Sequence, residues 1–515
     1  RIASRPVQGL GDRFDVLAAI DWMNVQRFLP EMPLDGKSLV IYDPGAGEVP
    51  EAVAATGARA VPIAFKELAG QHSGGRTNMV ALGVLAQLTG LPLTPLEGIL
   101  RDLLGRKGEE VIESSLACFE SGRSVAEGLS LPSFEVLSES PGQRWFLSGN
   151  EAAALGALQG GIRFVAAYPI TPASDLLEWM TPRLEALGGC LVQAEDELAS
   201  INMAIGASYG GVPSLTATSG PGLSLMSEGL GLAIASETPV VVVNVMRGGP
   251  STGIPTKSEQ SDLDIALHGM HGDAPHVVLA PSSMDDCVLT TRWAARLAES
   301  LQTAVIVLTD QAMGQARAIL DPLPSFECAG DRAVVEPGDD LYQRYAETDS
   351  GVSPVALPGA RGGAHTADGL EHEPSGKPST VARDHKAQLD KRERKLTGYD
   401  YGWRWGRVEG EGDMGIITWG SSALAVSEAR DTLERQGARV KLIVPRLLSP
   451  LPLVELRSVL SGVERLLVVE QSHSRQFLRH LRAHLDLPDE VRVLAEPGPL
   501  PLRPARILEE IESWI

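Results

Sequence analysis

The chain is short of basic residues: 45 Lys and Arg stand against 66 Asp and Glu, a formal charge of −21. That balance repels phosphate backbones and anionic lipid surfaces, so neither nucleic acid nor membrane is expected as a partner, while a basic small protein is admissible. Cysteine is equally sparse. Cys118, Cys190, Cys287 and Cys328 are scattered with no Cys-x-x-Cys pair, so neither a disulfide framework nor a chain-internal zinc or iron-sulfur site is indicated, and a reducing cytoplasm is the expected location. Aromatic residues make up only 5%. No apolar run approaches the roughly 18 residues that cross a bilayer, and nothing resembles a signal peptide. The sequence opens on Arg1 and not on Met, so the first domain is expected to lack its start.

What is present is ample core material. Apolar residues make up 43% and charged residues 22%, with 54 Gly and 35 Pro, a mix that suits a loop-rich α/β protein. At 515 residues and about 150 residues per domain, about three domains are expected. Short β-branched runs alternate with Ala/Leu/Glu-rich stretches: 38–43, 164–168, 214–218, 239–245, 304–308, 415–419 and 466–470. Continuous apolar strands separated by helices predict doubly wound parallel sheets covered on both faces. Periodicity lapses at 121–149 and again from 326 to 405, which gives domains at 1–125, 145–325 and 406–515, with a linker or insert at 326–405. Its later part, Asp384 to Lys395 (DHKAQLDKRERK), is expected to form an exposed charged helix with a solvated face.

Four segments carry chemistry. GNEAAALGALQGG (149–161), which is expected to form a helix, leads through a strand to PITP (169–172), whose prolines stiffen the turn and hold Thr171 at the carboxyl end of a strand, where α/β sheets bind ligands. Thr171 could also simply cap the next helix, Ala173 to Met180. CLVQAEDELASINMAIGASYGG (190–211) is a strand running into an Ala-rich helix. Its acidic entry, Glu195, Asp196 and Glu197, could be ordinary complements to the helix dipole. ATSGPG (217–222) opens another helix, and RGGPSTGIPT (247–256) follows a buried strand. Arg247 there is free to grip a carboxylate with two parallel hydrogen bonds, or to serve as a surface ion pair or packing for the glycine loop.

A Glu followed by small residues (Glu197, Ala199, Ala204, Gly206) and then a strand ending in TSGPG resembles the pyrimidine-binding domain of thiamine diphosphate enzymes. YPITP, the glutamate helix, TSGPG and RGGPSTGIPT in this order resemble the α subunit of the 2-oxoacid:ferredoxin oxidoreductases, specifically the 2-oxoglutarate synthase-like branch. SRPV (4–7), 38–43 and NMVALGVLAQLTGL (78–91) resemble that family's γ domain, here fused in front. GLEH (369–372) and KRERKL (391–396) resemble its linker, and IITWGS (416–421) its transketolase-like carboxyl-terminal domain.

The resemblance implies that Glu197 hydrogen-bonds the cofactor's aminopyrimidine, that Tyr168, Ile170 and Glu197 bind the cofactor, and that Thr171 and Arg247 hold the 2-oxoacid. Glu197 matches the family's glutamate better than Glu195. The diphosphate-magnesium motif of such enzymes, Gly-Asp-Gly, is missing. A smaller β subunit is therefore expected to bring magnesium and a 4Fe-4S cluster, in an (αβ)2 heterotetramer that passes electrons to ferredoxin and the acyl group to coenzyme A. In reverse the reaction would fix carbon dioxide. 2-Oxoglutarate is the favoured substrate, with pyruvate, a branched-chain 2-oxoacid or a catalytically silent scaffold as alternatives. None of the histidines, among them His268, His271, His365, His372 and His385, shows metal-ligand spacing, and none is assigned a role.

Overall fold

The structure, a computed structural model, describes residues 1–3, 7, 9–129, 131–134, 142–254, 256–323, 331–338 and 340–514. Most of SRPV, Pro255 and Cys328 lie outside the described residues. Two compact units result, 1–142 and 143–515.

The first unit holds a parallel sheet of three strands in sequence order, β1 (Val16–Ala19), β2 (Leu39–Tyr42) and β3 (Arg59–Pro62). Two of its helices, Thr77–Thr89 and Glu109–Glu127, cross at their glycines. A Cβ on Gly83 would lie 1.9 Å from the Phe119 carbonyl oxygen, and one on Gly122 would lie 2.0 Å from that of Val80, so both positions need glycine for the backbones to touch.

The second unit contributes, in chain order, β4 (Trp145–Ser148), β5 (Phe164–Ala167), β6 (Cys190–Gln193), β7 (Ser214–Thr218), β8 (Val240–Met246), β9 (Val277–Leu279) and β10 (Ala304–Asp310). Then follow β11 (Arg317–Leu320), β12 (Gly406–Glu409), β13 (Met414–Thr418), β14 (Val440–Pro445), β15 (Leu447–Ser449), β16 (Arg465–Glu470) and β17 (Glu490–Ala495). A seven-stranded sheet runs β15-β9-β10-β8-β7-β5-β6 and a five-stranded sheet β12-β14-β13-β16-β17; β4 and β11 pair separately. Strands β5 to β10 are mutually parallel, and VVVVNVM of β8 and AVIVLTD of β10 are buried at every position, as a sheet covered on both faces requires. The chain is thus α/β with parallel-dominated sheets.

Within the seven-stranded sheet the winding direction reverses between β5 and β7: the chain first steps outward from β5 to β6, then returns to β7 and proceeds to β8 and β10. A reversal of this kind leaves a crevice at the carboxyl ends of the two central strands. The five-stranded sheet is locked to the other by β15, which leaves it to pair antiparallel with β9, and by a continuous core that joins Val278 and Leu279 to Trp419, Leu447 and Phe477. Among the described residues no helix is long and apolar enough to cross a membrane.

The expectation of a solvated helix at 384–395 is overturned. Helix Ala382–Thr397 forms, yet Lys391, Arg392 and Lys395 on it are buried. The cause is a distant counter-ion. Glu237, just before β8, receives Lys391 Nζ at 2.7 Å and Lys395 Nζ at 3.3 Å, while Arg344 Nη2 donates to the Glu237 carbonyl at 2.8 Å. Lys391 also donates to Ser353 Oγ and Lys395 to the Gln302 carbonyl, so the buried ammonium groups are paired and hydrogen-bonded. Tyr345 stacks on His372 at 4.3 Å beside them, so this imidazole is packed.

Candidate functional site

Each sequence-derived candidate lies just beyond the carboxyl end of a strand of the seven-stranded sheet, on a loop or, for Glu197, in the first turn of a helix. From β6 the chain enters helix Glu197–Tyr209, where Asp196 is the N-cap, its carboxylate accepting from the Ala199 amide at 2.7 Å. Glu195 and Asp196 are exposed, whereas Glu197 is buried at 7% exposure. The three acids are thereby sorted: one caps, and one points inward. No hydrogen bond or ion pair reaches the Glu197 carboxylate from the described residues. It packs against the first turn of helix Gly220–Ala235, where a Cβ on Gly222 would lie 2.8 Å from Glu197 Oε1 and 2.1 Å from Thr218 Oγ1. The glycine in TSGPG therefore makes room for this glutamate.

From β5 the chain passes Tyr168, exposed at 40%, and the half-buried Ile170 to Thr171. Asn150 Nδ2 donates to the Pro172 carbonyl at 2.8 Å and fixes the turn from helix Gly149–Gln159, which the Ser148/Glu151 capping box starts. Helix Ser174–Ala186 has Ala173 at its N-cap position and no side-chain cap, so the capping role for Thr171 is not realised. Arg247, at the end of β8, donates from Nη1 to the Thr171 carbonyl at 2.8 Å. Thr171 and Arg247 are thus brought together from 76 residues apart. Arg247 Nε is buried without a hydrogen-bond partner among the described residues.

The glycine loop after Arg247 folds back on itself: Gly248 donates to the Lys257 carbonyl at 2.9 Å and Ile254 to that of Gly248 at 2.8 Å. Gly253 has φ +67°, and a Cβ there would lie 1.6 Å from the Gly248 oxygen. Next, Gln260 bonds to the five-stranded sheet's loops through Gln471, the Trp419 carbonyl and Ser422, at 2.6–2.9 Å. Asp262 then returns to β8, accepting from Asn244 Nδ2 at 2.9 Å. Burial pushes the Asp262 carboxyl up to about 6; the Asn244 hydrogen bond and the Arg247 charge oppose this, and the Glu259 charge adds to it. Glu259 is also raised, chiefly by burial.

A cavity of about 410 Å³ opens here, lined by Gly220, Pro221, Leu225, Arg247, Thr252 and Asp262. Glu197 does not line it, but meets the same helical first turn at Gly222. Asn150, Asn244, Glu259, Gln260 and Asp262 were not singled out from sequence. The polar run KSEQSDL directly after the glycine loop was the available signal for the last three.

A doubly wound α/β domain with an unpaired glutamate and a loop-borne arginine at its switch point has the form of a cofactor-type binding crevice. Residues 155–391 match the family described as pyruvate flavodoxin/ferredoxin oxidoreductase, thiamine diP-bdg, and residues 1–125 match pyruvate ferredoxin/flavodoxin oxidoreductase. A 2-oxoglutarate synthase subunit KorA of Methanothermobacter marburgensis is 34% identical over 72% of this chain and 98% of its own length. A 2-oxoglutarate oxidoreductase subunit KorA of Mycobacterium tuberculosis is 33% identical over 88% of this chain and 74% of its own. A 2-oxoacid:ferredoxin oxidoreductase subunit alpha of Sulfurisphaera tokodaii is 34% identical over 78% of this chain, which spans 65% of that relative. The solved 2-oxoglutarate:ferredoxin oxidoreductase from Magnetococcus marinus with 2-oxoglutarate, coenzyme A and succinyl-CoA bound superimposes with a TM-score of 0.91 at 37% identity, covering 99% of this chain and 90% of that one. The chain belongs to the α subunits of the 2-oxoacid:ferredoxin oxidoreductase family.

Proposed function

We propose that this chain is the subunit of a thiamine diphosphate-dependent 2-oxoacid:ferredoxin oxidoreductase that activates the aminopyrimidine and grips the 2-oxoacid. The observation that carries this reading is Glu197: a largely buried residue whose carboxylate has no hydrogen-bond partner among the described residues and packs on the TSGPG turn. No protein group among the described residues competes with a ligand for that carboxylate. An aminopyrimidine ring nitrogen fits that vacancy of partners, and sharing a proton there is worth more than in water. Thiamine diphosphate, when bound, supplies the nucleophilic carbon for attack on a keto group.

The chain's own residues do the rest. Glu197 holds the ring tautomer by keeping a proton between its carboxyl and the ring nitrogen. Arg247 takes the substrate carboxylate, and the turn at Thr171, held to Arg247 by the 2.8 Å hydrogen bond, orients the keto group. Tyr168 and Ile170, just beyond β5, would help hold the cofactor. The chain has neither a Gly-Asp-Gly run nor paired cysteines. Magnesium for the diphosphate and a 4Fe-4S cluster are therefore assigned to a β subunit, in an (αβ)2 assembly located in the cytoplasm.

2-Oxoglutarate is the favoured substrate, supported by the names of two relatives and the ligands of the Magnetococcus marinus structure. The net reaction converts 2-oxoglutarate, coenzyme A and two oxidised ferredoxins to succinyl-CoA, carbon dioxide, a proton and two reduced ferredoxins. The domain plan assigned is 1–125 γ-type, 145–325 pyrimidine-binding, 326–405 linker and 406–515 carboxyl-terminal. The test is copurification with the product of the neighbouring gene and reduction of a viologen dye with thiamine diphosphate, magnesium, coenzyme A and a panel of 2-oxoacids. Reduction strongest with 2-oxoglutarate is expected. Reduction by pyruvate alone would reassign the substrate, and no reduction by any acid in a cofactor-loaded complex would overturn the reading.

A further inference from the structure

Asp262 is a buried carboxyl in the Arg247 cavity for which the reaction gives no role. It stands immediately before helix Leu263–His268 but does not cap it with its side chain. The carboxyl turns instead to Asn244 on β8 and presses on the start of helix Gly220–Ala235, where a Cβ on Gly220 would lie 2.7 Å from Oδ2. Asn244 and Asp262 are the two ends of the segment that carries Arg247, so their 2.9 Å hydrogen bond closes that loop at its neck. Within this segment, Arg247 Nε and Asn244 Oδ1 are buried with no hydrogen-bond partner among the described residues.

We infer that Asp262 is a positioning residue that sets how strongly Arg247 grips a carboxylate, by closing the Arg247 loop and by opposing the guanidinium's charge when it is ionised. The inference rests on the reading of this crevice as a 2-oxoacid site. An anionic Asp262 competes with the ligand for the field of one guanidinium, and a neutral Asp262 leaves that field to the ligand. The charged groups around it are few. Arg247 and Glu259 act on it directly. Helix Gly220–Ala235 has no acid in its first turn, and Glu197 faces that turn at Gly222. On its own helix Asp264 is paired with Arg479. Burial places the titration of Asp262 at about 6, within the range where enzymes of this kind can be handled.

The probe is glutarate, which has two carboxylates and no keto group to react, titrated calorimetrically into the thiamine diphosphate-loaded complex between pH 5 and 8. Wild-type affinity is expected to fall on the order of tenfold as pH rises through Asp262's titration. Asp262→Asn, which keeps the size and an acceptor for Asn244, is expected to bind tightly with no such fall, and Arg247→Ala to lose binding throughout. Glu259→Gln is expected to retain the pH dependence. The inference is overturned if Asp262→Asn follows the wild-type profile, if the dependence disappears in Glu259→Gln instead, or if glutarate does not bind at any pH. Dye reduction on the same preparations separates the two claims. Glutarate binding governed by Asp262 without 2-oxoacid turnover supports the inference and removes the oxidoreductase reading; turnover with Asp262-independent binding does the reverse.

Discussion

Two buried glutamates stand at opposite edges of the same parallel sheet. Glu237, at the amino end of β8, is surrounded by Lys391, Lys395 and Arg344. Burial alone would raise its carboxyl, and the three cations outweigh burial and bring it down to about 2. Glu197, at the carboxyl edge, is 7% exposed and has no protein partner among the described residues. A buried charge that is fully paired belongs to the architecture: it ties the excursion 331–397 to the sheet. A carboxylate that no protein group pairs is free to meet a ligand. The contrast separates the edge of the sheet that ties the fold together from the edge to which the proposed function assigns the chemistry.

Exchanging the partners in this comparison gives the sharpest tests. Glu197→Gln removes proton sharing without changing packing, so turnover of the assembled complex is expected to fall by about 10²–10⁴ with the melting temperature unchanged. A loss of stability with retained activity per folded molecule would make Glu197 an architectural residue. Glu237→Gln is expected to show the opposite pattern. It leaves Lys391, Lys395 and Arg344 buried without a counter-charge and should cost about 3–5 kcal/mol in chemical denaturation, with activity per folded molecule retained.

Acid unfolding distinguishes the two sites again. The folded-state value for Glu237 is depressed, so its stabilisation is complete above pH about 4.5 and is lost as pH falls toward about 2. The shift corresponds to about 3 kcal/mol, and this acid limb should flatten in Glu237→Gln and persist in Glu197→Gln. Lys395 moves the other way, its ammonium brought down to about 8 because burial outweighs Glu237. The acid limb is therefore the diagnostic one. The smallest effect belongs to Arg247→Ala, which should raise the KM for the 2-oxoacid by about tenfold or more and leave the Glu237 region and the melting temperature untouched. An unchanged KM would return Arg247 to the glycine loop as packing.

The strands at 39–42, 164–167, 214–218, 240–246, 304–310, 414–418 and 465–470 were all legible as β-branched runs, because a sheet covered on both faces writes continuous apolar stretches into the sequence. The candidate crevice was legible for a related reason. Prolines, glycines and charged residues at the ends of those runs mark loops on one edge, and YPITP, TSGPG and RGGPST are such loops. What was not legible depends on partners far away along the chain. Lys395 meets Glu237 across 158 residues, so the helix's composition read as solvated when its inner face is buried. Asp262 depends on Asn244, an isolated polar residue inside the apolar run of β8. Strand β15 has three residues and pairs with β9 of the other sheet, too short to show a period and too remote to show a partner.

The most direct test of the central claim is exchange of the thiazolium C2 proton of bound thiamine diphosphate with deuterium, in the assembled complex, for wild type and Glu197→Gln. If the open carboxylate at the carboxyl edge is what activates the aminopyrimidine, exchange is fast in wild type and slows by about 10² or more in the variant, while Glu237→Gln exchanges as wild type does. Equal exchange rates in wild type and Glu197→Gln, with the cofactor bound in both, would contradict the account.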